Sequence, residues 1–346
     1  MSGAFIRNLW YVAAWSHELT AEAPIGRVII DEPVALYRKR DGSVVALEDR
    51  CPHRHAPLSL GRIEGDDLRC MYHGLRFGSD GVCKEMPGRA APPRIAARTF
   101  PVAERWSWIW VWMGDPAKAD AALIPEAFGM DDARFTMRAS ALDYEASHEL
   151  IHDNLCDLSH LDFSHATTLG GSSGVKWATQ APKITQREDG LLIERWFLDA
   201  PLSPGRAERG DTLNRYRYVL PGLFLMTTEW FPVGTAEKCG FETPKDEPLM
   251  RRVEQQAVTP IGEKRSRYLY ATGVEAGHAS PAFVEAIFGV VNAAFAEDKL
   301  IIEGQQRIWD LTPPERRKAS IPYDEAPILF RRLMARRIAD EQGEPS

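Results

Sequence analysis

The stretch that decides the fold is Cys51-Pro52-His53, followed after a short interval by Cys70-Met71-Tyr72-His73. Each half brings one thiolate and one imidazole into the same small space. Two cysteines on one iron and two histidines on the other make a mixed [2Fe–2S] cluster, whose neutral imidazoles raise its reduction potential. We therefore predict that Cys51, His53, Cys70 and His73 hold such a cluster, and that the chain handles single electrons.

A structural zinc site is the main alternative for these four residues. Structural zinc sites usually group their ligands by type, as Cys-x-x-Cys and His-x-x-x-His, whereas here each pair mixes the two types. Pro52 and Gly74 predict two tight loops that present ligands from a β scaffold. The cluster is favoured over zinc, and zinc over coincidence. His55 is spare on spacing and is interpreted as a loop residue.

Composition and charge exclude several classes of protein. The 346 residues allow two domains or one large one, and the net charge of −7 argues against a nucleic-acid-binding protein. No apolar run reaches membrane-spanning length and no secretory signal stands at the start, so we expect a cytoplasmic protein. Five cysteines do not form a disulfide framework in a chain of this size. Cys83, Cys156 and Cys239 are predicted to be free thiols, as in a reducing compartment.

Short β-type runs, punctuated by Gly and Pro, fill the first third of the chain, with strands predicted at 27–30, 34–37, 44–47 and 106–112. Gly114-Asp115-Pro116 ends this pattern and marks the best domain boundary. The remainder mixes helices with strands. A helix is predicted from Glu145 to Asp162, strands between 191 and 272, and a long helix with an apolar stripe from about Pro281 to Trp309.

A second cluster of polar residues contains Asp157, His160 and His165. Asp157 and His160 are three apart, which places both on one helix face, and a bend could bring His165 beside His160. Two imidazoles and one carboxylate form the facial triad of non-haem Fe(II) oxygenases, which leaves positions open for oxygen and substrate. Local spacing does not identify the carboxylate, because Asp157 and Asp162 are both candidates.

Both motifs resemble those of the Rieske non-haem iron oxygenases, in particular the oxygenase components of vanillate O-demethylase, dicamba O-demethylase and toluenesulfonate methyl-monooxygenase. The likeness extends to Trp10–Trp15 and Trp110–Pro116. It implies an α+β protein with an all-β Rieske [2Fe–2S] domain at residues 1–115. A catalytic mononuclear iron domain would follow at residues 116–346, with an antiparallel sheet and a long C-terminal helix (a helix-grip, START-like fold).

The resemblance also implies roles for single residues. In the family a distant C-terminal helix supplies the carboxylate ligand, and Ala296–Glu303 is similar to that segment. Asp298 is therefore the expected third ligand, with Glu297 its nearest rival and Asp162 the local one. Asp157 is expected to bridge an iron-ligand histidine and a cluster histidine of a neighbouring subunit, which couples the two metal sites and implies a homotrimer. Asn154 is expected beside the iron.

By resemblance, the chain is the terminal oxygenase component of a monooxygenase with a [2Fe–2S] cluster and Fe(II). It would use O₂ to demethylate a methoxy group or to hydroxylate a methyl group of an aromatic acid. No convincing G-x-G-x-x-G fingerprint is present, so we expect another protein to oxidise NAD(P)H. The resemblance implies that this partner is a separate reductase with flavin and an iron–sulfur centre. A ring cis-dihydroxylating dioxygenase and a Rieske electron carrier without oxygenase activity are the alternatives.

Two groups of side chains are candidates for contact with the substrate. Large side chains could form the pocket wall, although packing in the core is the competing interpretation for each: Phe224, Met226, Trp230, Gln256, Phe288 and Phe295. Three arginines could pair with a carboxylate or sulfonate, because Arg forms bidentate contacts with such anions. They are Arg195, Arg251 and Arg252, and we expect two of the three to be surface charges.

Overall fold

The computed structural model describes residues 5–169, 175–201, 208–316 and 319–343. The chain divides into two compact units, one comprising Gly3–Gly129 with Thr259–Glu263, the other mainly Met130–Val258 with Lys264–Ser346. The first unit thus extends beyond the break at Gly114–Pro116. All five cysteines are free of disulfide bonds. Among the described residues, no helix combines the length and apolar character that crossing a membrane requires.

The first unit contains three small sheets. One orders its strands β1 (Leu9–Trp15), β11 (Trp108–Met113) and β10 (Val102–Arg105). The second contains β2 (Ile25–Ile29), β3 (Glu32–Arg38), β4 (Val44–Glu48) and β9 (Thr99–Phe100). The third contains β5 (Arg62–Glu64), β6 (Asp67–Arg69), β7 (Arg76–Phe77) and β8 (Cys83–Glu85). Every strand pair is antiparallel, and the predicted all-β character of this part is confirmed.

Strand β11 is shorter than the sequence pattern predicted. All of its residues are buried, and its tryptophans pack against those of β1, with ring centroids of Trp15 and Trp108 5.4 Å apart. Trp106 and Ser107 have positive φ angles of 57° and 59° and belong to the turn that precedes the strand. The alternation of aromatic residues extends into this turn, but the left-handed backbone cannot continue a strand.

The described part of the second unit forms a seven-stranded sheet in the order β12-β18-β17-β16-β15-β14-β13. Its strands are β12 (Phe135–Tyr144), β13 (Lys183–Gln186), β14 (Gly190–Pro201), β15 (Arg209–Val219), β16 (Leu223–Phe231), β17 (Met250–Gly262) and β18 (Arg265–Glu275). The helices described are α1 (His148–Cys156), α2 (Leu161–Ser164), α3 (Thr235–Lys238), α4 (Pro281–Leu311) and α5 (Glu325–Gln342). An antiparallel sheet with a long C-terminal helix confirms the α+β class.

The helix predicted from Glu145 to Asp162 is interrupted. Helix α1 ends before Asp157, which has an extended backbone, and a 3₁₀ turn (Leu158–His160) and α2 follow. The Asp157 carboxylate accepts the amide N–H of Ser159, so it caps a new turn and competes with continuation of the helix. The spacing predicted that Asp157 and His160 share a face of one helix. This prediction is wrong, because the helix ends before Asp157.

Helix α4 begins and ends close to its predicted bounds. Ser280 caps its first turn by accepting the amide N–H of Phe283, and Pro281 occupies the first helical position. The helix packs against β12 and β18. Its buried face carries two polar residues, Asp298 and Gln306, among apolar ones. A buried carboxylate requires a partner or a metal ion, which directs attention to Asp298.

Candidate active site

Two loops of the first unit share one backbone form. The amide N–H of each cysteine donates to the carbonyl oxygen five residues later, at 2.9 Å for Cys51 and 2.8 Å for Cys70. Four residues after each cysteine the backbone is left-handed, with φ of +55° at His55 and +75° at Gly74. The tight loops predicted from Pro52 and Gly74 are present, and the backbone of His55 closes the first of them.

The four side chains carried by these loops form an inner and an outer pair. Cys51 and Cys70 are 2% and 1% exposed, whereas His53 and His73 are exposed. Burial raises the pKa of the Cys51 thiol and outweighs the backbone amide of His53, which lowers it; the adjacent Cys70 raises it further. Binding of a metal requires and favours the deprotonated thiolate. The ring centroids of His53 and His73 lie 4.5 Å apart. Neighbouring thiols inside and neighbouring imidazoles outside fit a cluster with one buried and one superficial iron.

Another metal-binding arrangement lies in the second unit. Among the described residues, a single group of His, Cys, Asp and Glu side chains is arranged to hold a lone metal ion: His160, His165 and Asp298, with donor atoms within 4.8 Å of one another. Asp298 Oδ1 is 3.2 Å from His165 Nε2 and 3.7 Å from His160 Nε2. Two imidazoles and one carboxylate fit Fe(II) with coordination positions left open.

In each imidazole Nε2 faces Asp298, and Nδ1 contacts an oxygen atom on the opposite side of the ring. His160 Nδ1 lies 2.5 Å from the carbonyl oxygen of Asp157, and His165 Nδ1 lies 2.7 Å from Glu297 Oε2. Burial lowers the pKa of His160. Burial also acts to lower the pKa of His165, but the hydrogen bonds and charges of Asp298 and Glu297 outweigh it and raise that pKa. The two imidazoles therefore differ in their electrostatic surroundings.

Asn154 and Asp162, both singled out from the sequence, have different surroundings. Asn154 Nδ2 donates to Asp298 Oδ1 at 3.0 Å and lies 3.4 Å from His160 Nε2, beside the candidate metal site. The carboxylate of Asp162 instead accepts the amide N–H groups of Trp177 and the following residue, at 3.1 and 3.0 Å. Asp162 is outside the group of candidate ligands.

Asp157 contacts His160 through its backbone. Its carboxylate oxygens accept the amide and the hydroxyl of Ser159, both at 2.8 Å, while its carbonyl oxygen faces His160 Nδ1. Each carboxylate oxygen has a second lone pair. The Asp157 side chain can therefore accept one further N–H group without losing its role as a cap.

A cavity of about 420 Å³ lies beside His160, His165 and Asp298, and apolar and aromatic side chains dominate its wall. Strands β14 to β18, the α1–α2 segment, residues between α2 and β13, and α4 supply this wall. Of the candidates from the sequence, these line it: Phe224, Met226, Trp230, Gln256 and Phe295. Phe288 is not a lining residue; its ring lies 6.5 Å from that of Tyr270.

One row of polar side chains crosses the sheet at this wall. Arg195, Asn214, Thr228 and Arg252 are successive cross-strand neighbours on β14 to β17, and the last three line the cavity. Asn214 Nδ2 donates to Thr228 Oγ1 at 3.0 Å, while Asn214 Oδ1 has no hydrogen-bond partner among the described residues. Buried polar atoms normally have partners, so the row fits a polar group on a bound molecule.

Of the three candidate arginines, Arg252 alone lines the cavity. Its Nη2 donates to Glu254 Oε1 at 2.8 Å, and Gln256 Nε2 donates to the other carboxylate oxygen at 3.0 Å. Arg251 forms an ion pair with Glu229 at 2.8 Å. Two of the three arginines were expected to be surface charges. Arg195 is buried, with only 4% of its surface exposed, so for Arg195 the expectation is wrong.

Sequence reasoning missed Glu254 and did not foresee the contact between Glu297 and His165. Alternation along β17 places Arg252, Glu254 and Gln256 on one face, so the period of two was the available signal for Glu254. Glu297 was considered as a rival ligand, but its carboxylate lies behind His165. The contact between Glu297 and His165 could not be read from the sequence, because the two residues are 132 positions apart in the chain.

Comparison with known families accounts for both centres. Residues 9–101 match the Rieske [2Fe-2S] domain, and residues 144–340 match the vanillate O-demethylase oxygenase C-terminal domain. A cluster-bearing domain followed by a mononuclear iron domain defines a Rieske non-haem iron oxygenase. The chain belongs to the vanillate O-demethylase family of these oxygenase components. Its cofactors are a [2Fe–2S] cluster and Fe(II), as predicted.

Relatives of full length support this assignment. The chain is 37% identical to the toluene-4-sulfonate monooxygenase system iron-sulfur subunit of Comamonas testosteroni, over 98% of this chain and 99% of the relative. It is 32% identical to the vanillate O-demethylase oxygenase subunit of a Pseudomonas strain, over 98% and 96%. A crystal structure of dicamba monooxygenase bound to dicamba superposes with a TM-score of 0.84 at 30% identity, covering 98% and 99%. The predicted monooxygenase class is confirmed.

Proposed function

We propose that the chain is the terminal oxygenase component of a monooxygenase that demethylates a methoxy group or hydroxylates a methyl group of an aromatic acid. The observation that carries this proposal is the position of His160, His165 and Asp298 on the wall of a mainly apolar cavity of about 420 Å³. A cavity in this range suits one substituted aromatic ring. The relatives are enzymes of toluene-4-sulfonate, vanillate and dicamba, which supports an aromatic acid.

In this proposal residues 1–115 form the cluster domain and residues 116–346 the catalytic domain. The cluster is held by Cys51, His53, Cys70 and His73, and Fe(II) by His160, His165 and Asp298. When bound, the metal centres supply one-electron transfer and the activation of oxygen. The chain itself positions the substrate and excludes water from the site.

Substrate orientation falls to the polar row and the aromatic wall. Arg252 donates N–H groups to the carboxylate or sulfonate, a charge-assisted contact. Phe224 and Trp230 pack against the ring and direct the methyl or methoxy carbon towards Asp298 and the two histidines. Overall, one oxygen atom of O₂ enters that carbon and the other leaves as water, with two electrons delivered from NAD(P)H through the reductase and two protons taken from the solvent. From a methoxy group, the oxidised carbon leaves as formaldehyde and the ring keeps a hydroxyl.

Assembly and partners follow from the same assignment. His53 and His73 are exposed, and the Asp157 carboxylate keeps accepting capacity, so a neighbouring copy's cluster histidine can donate to Asp157. A closed ring of three identical chains satisfies this contact in every subunit. Electrons come from a separate NAD(P)H-dependent reductase with flavin and an iron–sulfur centre. We place the assembly in the cytoplasm.

Iron analysis and product analysis test the proposal together. Loaded protein should contain three iron atoms per chain, and the variant Asp298→Asn two, with the cluster spectrum unchanged. The loaded protein is then given a surrogate reductase, NADH, O₂ and a panel of methoxy- and methyl-substituted benzoates and benzenesulfonates. Formaldehyde release indicates demethylation and a benzylic alcohol indicates methyl hydroxylation. A cis-diol product, or unchanged iron content in Asp298→Asn, would contradict the proposal.

A further inference from the structure

We propose that Glu297 is a positioning residue for the iron site, which holds the ring of His165 in the orientation and tautomer that iron binding requires. The inference rests on the ligand assignment made under the proposed function. It gives Glu297 a role distinct from that of its neighbour Asp298. The two adjacent carboxylates would act on opposite ends of one imidazole ring.

The contacts of the His165 ring carry this inference. Glu297 Oε2 lies 2.7 Å from His165 Nδ1, and Asp298 Oδ1 lies 3.2 Å from His165 Nε2. Successive residues of an α-helix project about 100° apart, because one turn contains about 3.6 residues. One turn of α4 can therefore place one carboxylate behind the ring and the other in front of it.

The tautomer of the ring follows from these contacts. With a carboxylate oxygen of Glu297 as the acceptor, the N–H of the His165 ring lies on Nδ1. Its Nε2 then presents a lone pair towards Asp298 and the candidate metal position. A hydrogen bond of this kind fixes the tautomer and raises the basicity of a ligand imidazole.

Glu297 is itself held in place. The hydroxyl of Thr168 donates to the same oxygen, Oε2, at 2.7 Å. Thr168 lies three residues after His165, and its amide N–H donates to the carbonyl oxygen of His165 at 3.0 Å. The turn that carries His165 thus also orients the carboxylate that holds its ring.

The second histidine, His160, has a neutral partner at the corresponding position. His160 Nδ1 donates to a neutral carbonyl oxygen, that of Asp157, whereas His165 Nδ1 faces a carboxylate. Charge-assisted hydrogen bonds are roughly twice as strong as neutral ones. The side chain of His165 is 1% exposed and that of His160 is 20% exposed. His165 is therefore the more firmly held ligand, and Glu297 accounts for the difference.

The test compares four variants of the full-length protein with its cluster intact. Glu297→Ala removes the acceptor, Glu297→Gln keeps an acceptor without the charge, and Thr168→Val removes only the support. The matched control is Glu285→Gln on the same helix, whose carboxylate pairs with exposed Arg138. The dissociation constant for Fe(II) is measured by competition with a chelator, and the thermal unfolding of each mononuclear-iron-free variant is measured in parallel.

Glu297→Ala should weaken Fe(II) binding roughly 10- to 100-fold, the usual effect of removing a carboxylate from a ligand histidine. Glu297→Gln should fall between this variant and the wild type, Thr168→Val should lose only a few-fold, and the control should match the wild type. In cobalt-substituted protein, the exchangeable N–H proton signal of His165 should broaden in Glu297→Ala, because its acceptor is gone.

Unchanged Fe(II) affinity in Glu297→Ala overturns the inference, as does an affinity loss explained by a lower unfolding temperature of the iron-free variants. Failure of the underlying assignment gives a different pattern. If His165→Ala and Asp298→Asn still bind one mononuclear iron per chain, the proposed ligand set is wrong. If those variants lose the iron and Glu297→Ala keeps wild-type affinity, only the role of Glu297 is refuted.

Discussion

Replacement of Arg252 by glutamine should separate recognition of the acid group from recognition of the ring. Arg252 lines the cavity, and its side chain is 23% exposed beside Glu254, which is 9% exposed. A hydrogen bond to a charged group contributes about 1.5–3 kcal/mol. At about 1.4 kcal/mol per tenfold change in affinity, its loss corresponds to a roughly 10- to 150-fold rise in Kd for the aromatic acid.

The carboxylate of Glu254 should make the rise in Kd lie near the upper end of this range. Without Arg252, the carboxylate of Glu254 keeps, among the described residues, the side-chain donor Gln256 at 3.0 Å. The charge of this carboxylate repels a bound anion in a site of low dielectric constant. The variant Glu254→Gln should have the opposite effect and bind the acid several-fold more tightly, because Arg252 keeps its charge and loses its counter-charge.

The assay measures Kd calorimetrically under anaerobic conditions, for the acid and for its neutral methyl ester. Arg252→Gln should lose much less affinity for the ester than for the acid, since the ester carries no negative charge for Arg252 to pair with. Arg251→Gln serves as the control, because Arg251 pairs with Glu229 and does not line the cavity. Equal losses for acid and ester, or no loss for the acid, would refute the assignment of Arg252.

Three further expectations concern electron delivery and stability. Asp157→Asn should retain its iron, since Asn caps as well as Asp, but slow re-oxidation of the cluster in single-turnover experiments; full steady-state activity would exclude the bridging role. Burial lowers the pKa of His148 to about 4 from 6.5, so the unfolded chain binds more protons between these values. The contribution of neutral His148 to stability is therefore complete above pH 6.5 and falls by roughly 3 kcal/mol by pH 4, at about 1.36 kcal/mol per pKa unit. His148→Asn should reduce this pH dependence of the free energy of unfolding, measured with denaturant. Gly222→Ala places a Cβ 2.5 Å from His152 Cε1 and should cost about 1–3 kcal/mol in thermal unfolding, whereas Gly289→Ala, with open space around it, should not destabilise.

Short-range patterns were the most informative parts of the sequence. The loops of Cys51 and Cys70 each close within five residues, so their ligands are adjacent in the chain and readable from spacing. Periodicity located the long helix and most strands within a few residues. It failed at Asp157 and at Trp106, where a side-chain cap and a left-handed turn override the pattern.

The sequence by itself determined the family, the class of cofactors and the two motifs, because these depend on residues close together in the chain. The resemblance already favoured Asp298 over Glu297 as the ligand, but only the tertiary structure decided that Glu297 lies at the opposite side of the His165 ring. The tertiary structure also decided which arginine lines the cavity. Helix rotation and strand register set both choices, and a shift of one residue turns a side chain to another side of its element. Packing of α4 and β17 within the second unit selects that rotation and register, which no local pattern encodes.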